Sequence, residues 1–398
     1  MNEDTLALSR HRAALFAPDR LRRIGRMWAL TAMFAVGFHL WGETRVGLVD
    51  TVGHPFGDDT LNFWAGARVA LGGHPETAYD ILAFHAFEQA AIGGAIQPYH
   101  YSYPPVTMLL TAPLALLTFL PFWAVWLGGG WLLFAACIRY WLPGQWLLYA
   151  AAAPAVMVDF ISGQVGCWVA AIFGFALILL PTQPLAAGLV FSLAIFKPQL
   201  VWLVPLAFFA GGFWRALAGF VAGVALLLAG SVWAFGFGLW ADYARQVEVL
   251  RVAILENGAG VWHRFISVFV LVRHLGASVG VAYGVQGAVS LAMAGLMMWV
   301  WRTTRASSTI GAPARRNAVL VLASIFASPY VSDYDLVVAA FVPLWLLSGR
   351  DNTGAWVAAA LVVLAPMIAA PLALGTGVAA AGLLLLPALY YAVRTSSI

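Results

Sequence analysis

Long apolar runs with few charged residues between them constrain this chain more than any other feature of its sequence. Of the 398 residues, 62% are hydrophobic and 10% are charged, whereas soluble domains carry about 25% charged residues. A membrane-spanning helix needs about 20 apolar residues, and the runs are continuous rather than alternating as a β-barrel requires. The sequence therefore excludes a soluble enzyme and a disordered chain. It predicts an all-α polytopic membrane protein.

The apolar segments predict about twelve transmembrane helices in one integral membrane domain, residues 1–398. Two polar stretches, 44–103 and 237–278, interrupt them, and each is suited to amphipathic helices that lie on the membrane. The chain path between 145 and 213 stays open, because prolines interrupt its long apolar segment. The predicted helices lie near 26–43, 105–119, 121–141, 145–160, 164–180, 183–213, 215–236, 279–301, 317–330, 335–348, 354–371 and 375–394.

Positive charges orient the chain, because cytoplasmic loops of membrane proteins are rich in arginine and lysine. Residues 1–25 form a basic cytoplasmic segment, the apolar run that follows them is a retained anchor, and the arginine-rich loop 302–316 is also cytoplasmic. The stretches 44–103 and 237–278 and the turn 330–335 then lie together on the exterior face. The basic residues that place the N-terminus inside are Arg10, His11, Arg12, Arg20, Arg22, Arg23 and Arg26.

Charged side chains inside apolar segments need a reason, because each costs roughly 2.5–3.5 kcal/mol at the bilayer centre. Between Tyr140 and Trp214 the only two are Asp159 and Lys197, and Lys197 is the only lysine in the chain. A compact ammonium suits a phosphate group, although it can also reach the membrane surface from a helix end. His263 and Arg264 form a second cationic pair, which suits either a phosphate or a solvated loop.

Candidate polar residues lie at the exterior ends of the apolar segments. Asp58 and Asp59 are adjacent carboxylates that cannot share a helix face, so one of them is free to act as a general base beside Arg68. The alternative is that both are solvated acids at a helix start. Further candidates for substrate binding are Tyr103, Gln164, Asp333, Tyr334 and Asp335.

Other classes of function find less support in the sequence. Cys137 and Cys167 lie in apolar segments, and the histidines show no metal-ligand spacing, so neither a metal nor another cofactor is expected. No folded domain carries the basic surface that nucleic-acid binding needs. A lipid-linked sugar flippase or a secondary transporter is the main alternative to an enzyme. Pairing of Asp159 with Lys197 at mid-membrane would favour it.

Several short motifs follow one another in a recognisable order. They are Gly57-Asp58-Asp59-Thr60-Leu61-Asn62-Phe63-Trp64, Tyr101-Ser102-Tyr103-Pro104-Pro105, Gly163-Gln164, Lys197-Pro198-Gln199, a Trp262 to Phe269 segment before Arg273-His274-Leu275-Gly276, and Ser328-Pro329-Tyr330-Val331-Ser332-Asp333-Tyr334-Asp335-Leu336. In this order the chain resembles glycosyltransferase family 87 over residues 50–350, and it is similar to mycobacterial phosphatidylinositol mannoside mannosyltransferases.

The resemblance implies a GT-C fold and an active site on the periplasmic face of the bacterial inner membrane. It implies transfer of a sugar, mannose by analogy, from a polyprenyl-phosphate donor to a lipid or glycan acceptor with inversion. Membrane lipids would be the remaining partners. The base of the family matches Asp59, with Asp58 the alternative, and Lys197, Arg264 and His263 would bind the donor phosphate. Many relatives have histidine in the last motif, where this chain has Tyr334-Asp335.

Overall fold

The computed structural model describes residues 17–305, 311–348 and 352–394. Within these ranges the chain is helical, as predicted, and extended segments form only isolated bridges. Arg10, His11 and Arg12 lie outside the described residues. The α-helices are Pro18–Gly42, Thr60–Leu71, Ile81–Ile92, Pro105–Thr111, Phe119–Trp141, Trp146–Ala152, Pro154–Ile161, Gly166–Leu179, Pro184–Ser192, Pro198–Val201, Val204–Gly211, Trp214–Phe235, Gly238–Leu250, Val268–His274, Val279–Thr303, Ala312–Ala327, Val342–Leu347, Thr353–Thr376 and Leu386–Val393.

Four of the described helices are long and apolar enough to cross a membrane by length and composition. They are Phe119–Trp141, Trp214–Phe235, Val279–Thr303 and Thr353–Thr376. Each coincides within a few residues with a predicted spanning segment, except that the last extends five residues further than expected. These helices make the chain a multi-pass membrane protein. Pro18–Gly42 is 25 residues long but is not among these four, and most of the other predicted segments form shorter helices.

Prolines account for most of the shortened helices. The helix predicted at 105–119 ends at Thr111, shortly before Pro113, and the one predicted at 145–160 is interrupted at Pro154. Proline lacks a backbone N–H and its ring clashes with the preceding turn. The expectation of continuous helices was therefore wrong in these two segments.

The segment 183–213 is broken where the sequence suggested a break. Pro184–Ser192 continues as a 3₁₀ turn to Phe196, and two further short helices follow Lys197. Lys197 thus lies at a junction between helices rather than inside a continuous span.

Close helix packing fixes the approach to this junction. Gly188 lies against the carbonyl oxygen of Ala216, and Gly219 lies against that of Leu185, so neither position has room for a Cβ atom. Small residues of this kind let two membrane helices come close together. The helix that leads to Lys197 is therefore held tightly against Trp214–Phe235.

The polar stretches contain short helices of their own. The first holds Thr60–Leu71, a 3₁₀ turn at Pro75–Tyr79 and Ile81–Ile92; the second holds Gly238–Leu250, which continues as a π-helical turn. The second stretch is tied to the turn at 330–335, because the Ile266 N–H donates to the Val331 carbonyl at 3.0 Å. The structure thus brings the three polar regions together.

A turn at Gly163 joins the first polar stretch to the helices behind it. Gly163 has φ = 59°, and its α-carbon lies against the Gly57 carbonyl and the backbone of Thr60. The Thr60 hydroxyl donates to the Gly163 carbonyl at 2.9 Å, and the Asp59 N–H donates to the Ser162 carbonyl at 3.3 Å. Only glycine fits both this backbone conformation and this contact.

We expect Gly163→Ala to destabilise the protein more than Gly73→Ala does. Gly73 also has positive φ, at 84°, but nothing lies within 4 Å of an added Cβ there. Both variants incur the left-handed backbone cost, roughly 1–2 kcal/mol, and only Gly163→Ala adds an overpacking cost of about 1–3 kcal/mol. Thermal unfolding in detergent measures the difference, and equal losses would contradict the packing described.

Candidate active site

A cavity of about 690 Å³ opens where the three polar regions meet. This volume is in the range of sites for small ligands. Seven of the predicted site residues line it, and they come from segments far apart in the sequence. These residues are Asp58, Asp59, Tyr103, Gln164, Lys197, Arg264 and Tyr334.

Asp59 is held by two side-chain amides. Gln164 Nε2 donates to one carboxylate oxygen at 2.5 Å, and Asn62 Nδ2 donates to the other at 3.0 Å. The Tyr103 hydroxyl in turn donates to Gln164 Oε1 at 2.9 Å, which fixes the amide. Hydrogen bonds of this kind orient a carboxylate for a defined task.

Asp58 differs from its neighbour in backbone and in partner. It has φ = 47°, a conformation that aspartate tolerates better than most residues, and its carboxylate accepts a hydrogen bond from the Tyr99 hydroxyl.

Burial acts on both carboxyl groups of the adjacent pair. It raises the pKa of Asp58, as does the charge of Asp59, and the Tyr99 hydrogen bond and the Arg264 charge oppose this shift. Burial also raises the pKa of Asp59, which hydrogen bonds from Gln164 and Asn62 and the charge of Arg264 oppose. Asp59 accepts two amide hydrogen bonds whereas Asp58 accepts one from a hydroxyl, so the structure supports a carboxylate better at Asp59.

Lys197 forms a buried ion pair with Asp335. Their atoms Nζ and Oδ1 are 2.5 Å apart, and the two residues are only 3% and 1% exposed. The other oxygen of Asp335 accepts from the Ser332 N–H at 3.0 Å, so the carboxylate also caps the 3₁₀ helix Asp333–Phe341. Asp335 takes one of the three N–H donors of the ammonium, and Lys197 lines the cavity.

Arg264 forms the second cation of the cavity and is paired with Asp333. Its Nη2 lies 2.9 Å from Oδ1 and its Nε lies 3.2 Å from Oδ2, and the guanidinium also donates to the Ser162 hydroxyl. Burial raises the pKa of Asp333, and the Arg264 charge opposes that shift.

Tyr334 lies between the two cations. Its ring centroid is 4.6 Å from Lys197 Nζ and 5.3 Å from Arg264 Cζ. Distances below about 6 Å allow a cation–π attraction. The turn that begins at Ser332 therefore sets the positions of both cations through Asp333, Tyr334 and Asp335.

Four predicted residues do not reach the cavity lining: Asp333 and Asp335, which pair with its cations, and Arg68 and His263. Arg68 follows Asp59 by nine residues on a helix, which places it about 13 Å along the axis; it is exposed and donates to the Ala115 carbonyl at 3.3 Å. The expectation that Arg68 lies beside the acidic pair was therefore wrong. His263 is half-buried and is not part of the lining.

Asp159 does not pair with Lys197. Its two oxygens instead accept from the backbone N–H groups of Gly166 and Cys167, at 2.7 and 3.0 Å, at the start of the next helix. The charge pair that would have favoured a transporter is thus replaced by helix capping.

The structure adds lining residues that sequence reasoning missed. Two of them are Tyr99 and His100. They directly precede the Tyr-Ser-Tyr-Pro-Pro motif, and this position in the sequence could have indicated that they belong to the site. The second polar stretch contributes an apolar wall to the cavity. The sequence predicted an amphipathic helix there but did not indicate which of its residues face the cavity. The wall contains Val247, Leu250, Ile254, Leu255, Val261 and Phe265.

No cluster of three potential metal ligands forms among the residues that the structure describes.

Comparison with known proteins gives one match. The model of glycosyltransferase family 87 matches residues 101–329, which is more than half of the chain. This match includes Tyr103, Gln164, Lys197 and Arg264 of the cavity. No curated protein matches the chain, and no solved structure does.

We expect Lys197→Met to destabilise the protein strongly and Asp335→Asn to restore part of that loss when combined with it. The single variant leaves a buried carboxylate unpaired, which costs about 3–5 kcal/mol, whereas the double variant leaves no charge. The free energies of unfolding of wild type, the two single variants and the double variant form a double-mutant cycle that gives the interaction energy of the pair. Additive losses would contradict the ion pair.

Proposed function

Because the chain belongs to glycosyltransferase family 87, we propose that it transfers a sugar from a polyprenyl-phosphate donor to a hydroxyl group of a lipid or glycan acceptor. It is a membrane glycosyltransferase. The observation that carries the proposal is that one cavity holds both an oriented carboxylate, Asp59, and two cations, Lys197 and Arg264.

In the proposed reaction Asp59 is the general base. It removes the proton of the acceptor hydroxyl while the acceptor oxygen forms a bond to the anomeric carbon. The bond between that carbon and the phosphate oxygen breaks, and the polyprenyl phosphate leaves with the electron pair. A single displacement of this kind inverts the anomeric configuration.

Lys197 and Arg264 stabilise the leaving phosphate in this proposal. Each is already paired with a carboxylate, so the phosphate meets fixed N–H donors rather than mobile surface charges. Preorganised donors of this kind stabilise charge that develops in the transition state. His263, also predicted to bind phosphate, lies next to Arg264 but outside the lining, so it has at most an indirect role.

We propose the GT-C arrangement for the membrane domain, with the broken segments completing about twelve crossings. The N-terminus is then cytoplasmic and the cavity opens to the periplasm of a bacterial inner membrane. The apolar wall of the cavity suits the first isoprene units of a donor that enters from the bilayer. Mannose is proposed as the sugar only because the order of the sequence motifs resembles that of mannosyltransferases.

We expect Asp59→Asn to reduce transfer by about 10²–10⁴-fold, the usual contribution of a general base. Asp58→Asn is the matched control, because asparagine mimics a protonated carboxyl and also tolerates positive φ; it should retain most activity. Transfer is measured with purified protein, a panel of polyprenyl-phosphate sugars and a membrane lipid extract. The opposite ranking would assign the base to Asp58.

The pH profile provides an independent test of the base. Burial raises the pKa of Asp59, and only its ionised form accepts a proton, so transfer should increase with pH through a range above that of an ordinary aspartate. A rate that is independent of pH from 4 to 7 in single-turnover measurements would contradict this assignment.

We expect transfer to continue in the presence of a chelator, since two paired cations are available for the phosphate. Activity of wild type before and after treatment with EDTA, followed by addition of Mg²⁺ or Mn²⁺, measures this. Loss with EDTA and recovery with a metal would show that a divalent ion takes part.

A further inference from the structure

Glu88 is a buried carboxyl group that the proposed reaction leaves unused. It lies on the helix Ile81–Ile92 in the first polar stretch and is 0% exposed. Neither of its oxygens has a hydrogen-bond partner among the described residues, and it does not line the cavity. A buried polar group without partners costs free energy, which a protein rarely tolerates without a reason.

Asn62 has a buried side-chain oxygen that lacks a hydrogen-bond donor within the part of the chain that the structure describes. Its Nδ2 donates to Asp59 at 3.0 Å, and because a carboxylate only accepts, this bond fixes the orientation of the amide. The Asn62 Oδ1 therefore points away from Asp59, where it is buried without a donor among the residues described. A protonated carboxyl is a donor that needs an acceptor, and Asn62 Oδ1 is an acceptor that needs a donor.

Tyr101 connects the helices that carry these two groups. Its ring lies against Gly66, one turn after Asn62, and its centroid is 5.9 Å from that of Phe84, one turn before Glu88. Residues four apart share a helix face. Asp59, the N-cap of the helix that carries Asn62, also contributes to the raised pKa of Glu88.

We infer that Glu88 is a positioning residue for Asp59: its protonated carboxyl donates to Asn62 Oδ1, directly after a side-chain rotation or through one buried water, and so fixes the amide that orients the base. This inference rests on the proposed function of Asp59. It assigns no contact between Glu88 and the substrate.

The surroundings of Glu88 support a protonated carboxyl. Burial raises its pKa to about 9, and the charge of Asp59 contributes to the shift. From neighbouring elements, the Tyr79 hydroxyl donates to the Tyr103 carbonyl at 2.8 Å and Arg68 donates to the Ala115 carbonyl at 3.3 Å. His85, three residues before Glu88 on the same helix, is half-buried, and its Nδ1 has no hydrogen-bond partner among the described residues. Above about pH 9 Glu88 ionises, loses its donor and adds a negative charge near Asp59.

Glu88→Gln and Glu88→Leu separate this role from simple packing. Glutamine keeps a donor and cannot ionise, so we expect near wild-type transfer at neutral pH and no decline of the rate on the alkaline side. Leucine removes the donor at similar volume, so we expect at least a tenfold lower kcat with an unchanged KM for the donor. Glu76→Gln, an exposed change in the same stretch, is the control, and thermal unfolding in detergent verifies folding.

Infrared difference spectra provide a readout that does not depend on transfer. Wild type minus Glu88→Gln at neutral pH should show the carbonyl stretch of a protonated carboxylic acid, and this band should disappear as the pH passes about 9. Absence of the band, or an alkaline decline that Glu88→Gln retains, would overturn the inference. If wild type transfers no sugar from any donor, the proposed function fails, while the infrared result still decides the state of Glu88.

Discussion

Gly163 brings its turn into backbone contact with the loop from Gly57 to Thr60, and the groups of the site meet on either side of that contact. On one side Gln164 holds Asp59 by its amide. On the other side the Ser162 hydroxyl accepts from Arg264. Asp59 from the first polar stretch and Arg264 from the second are thereby both fixed to the turn Ser162-Gly163-Gln164.

Two ion pairs, one buried and one partly buried, complete the arrangement from the opposite wall. Asp333 and Asp335 are two residues apart at the start of a 3₁₀ helix, and each holds one cation of the cavity. Burial of charged side chains costs desolvation energy that their mutual attraction often does not recover. Their use here is positional, because they fix donors that would otherwise move on long side chains.

Much of the fold followed from the sequence, because length and hydrophobicity determine which helices can cross a membrane. The long helices from Phe119 and Trp214 were predicted within two residues, and the break at Lys197 was anticipated from Pro198. Helix lengths were overestimated at 105–119, 145–160 and 183–213, since hydrophobicity does not reveal where a proline ends a helix and where it only bends one. Thr353–Thr376 contains two prolines and stays continuous.

The sequence identified most of the residues of the candidate site, but it did not identify which of them pair with each other. The polar residues at helix ends stood out against an apolar background, and the structure brings seven of them to one cavity. The partner of Lys197 could not be chosen, because Asp159 is near in sequence whereas Asp335 is 138 residues away. Arg68 was wrongly expected beside Asp58 and Asp59 because it is close to them in sequence, although the helix Thr60–Leu71 carries it away from them. Glu88 gave no signal, since a lone acid in a polar stretch is ordinary.

The central claim is that one cavity holds both the base and the cations that bind the leaving phosphate. A structure of the protein with a non-transferable polyprenyl-phosphate sugar analogue tests it most directly. The account predicts the phosphate within hydrogen-bonding distance of Lys197 and Arg264, with the anomeric carbon facing the Asp59 side of the cavity. A phosphate bound elsewhere, or an anomeric carbon turned away from Asp59, would contradict it.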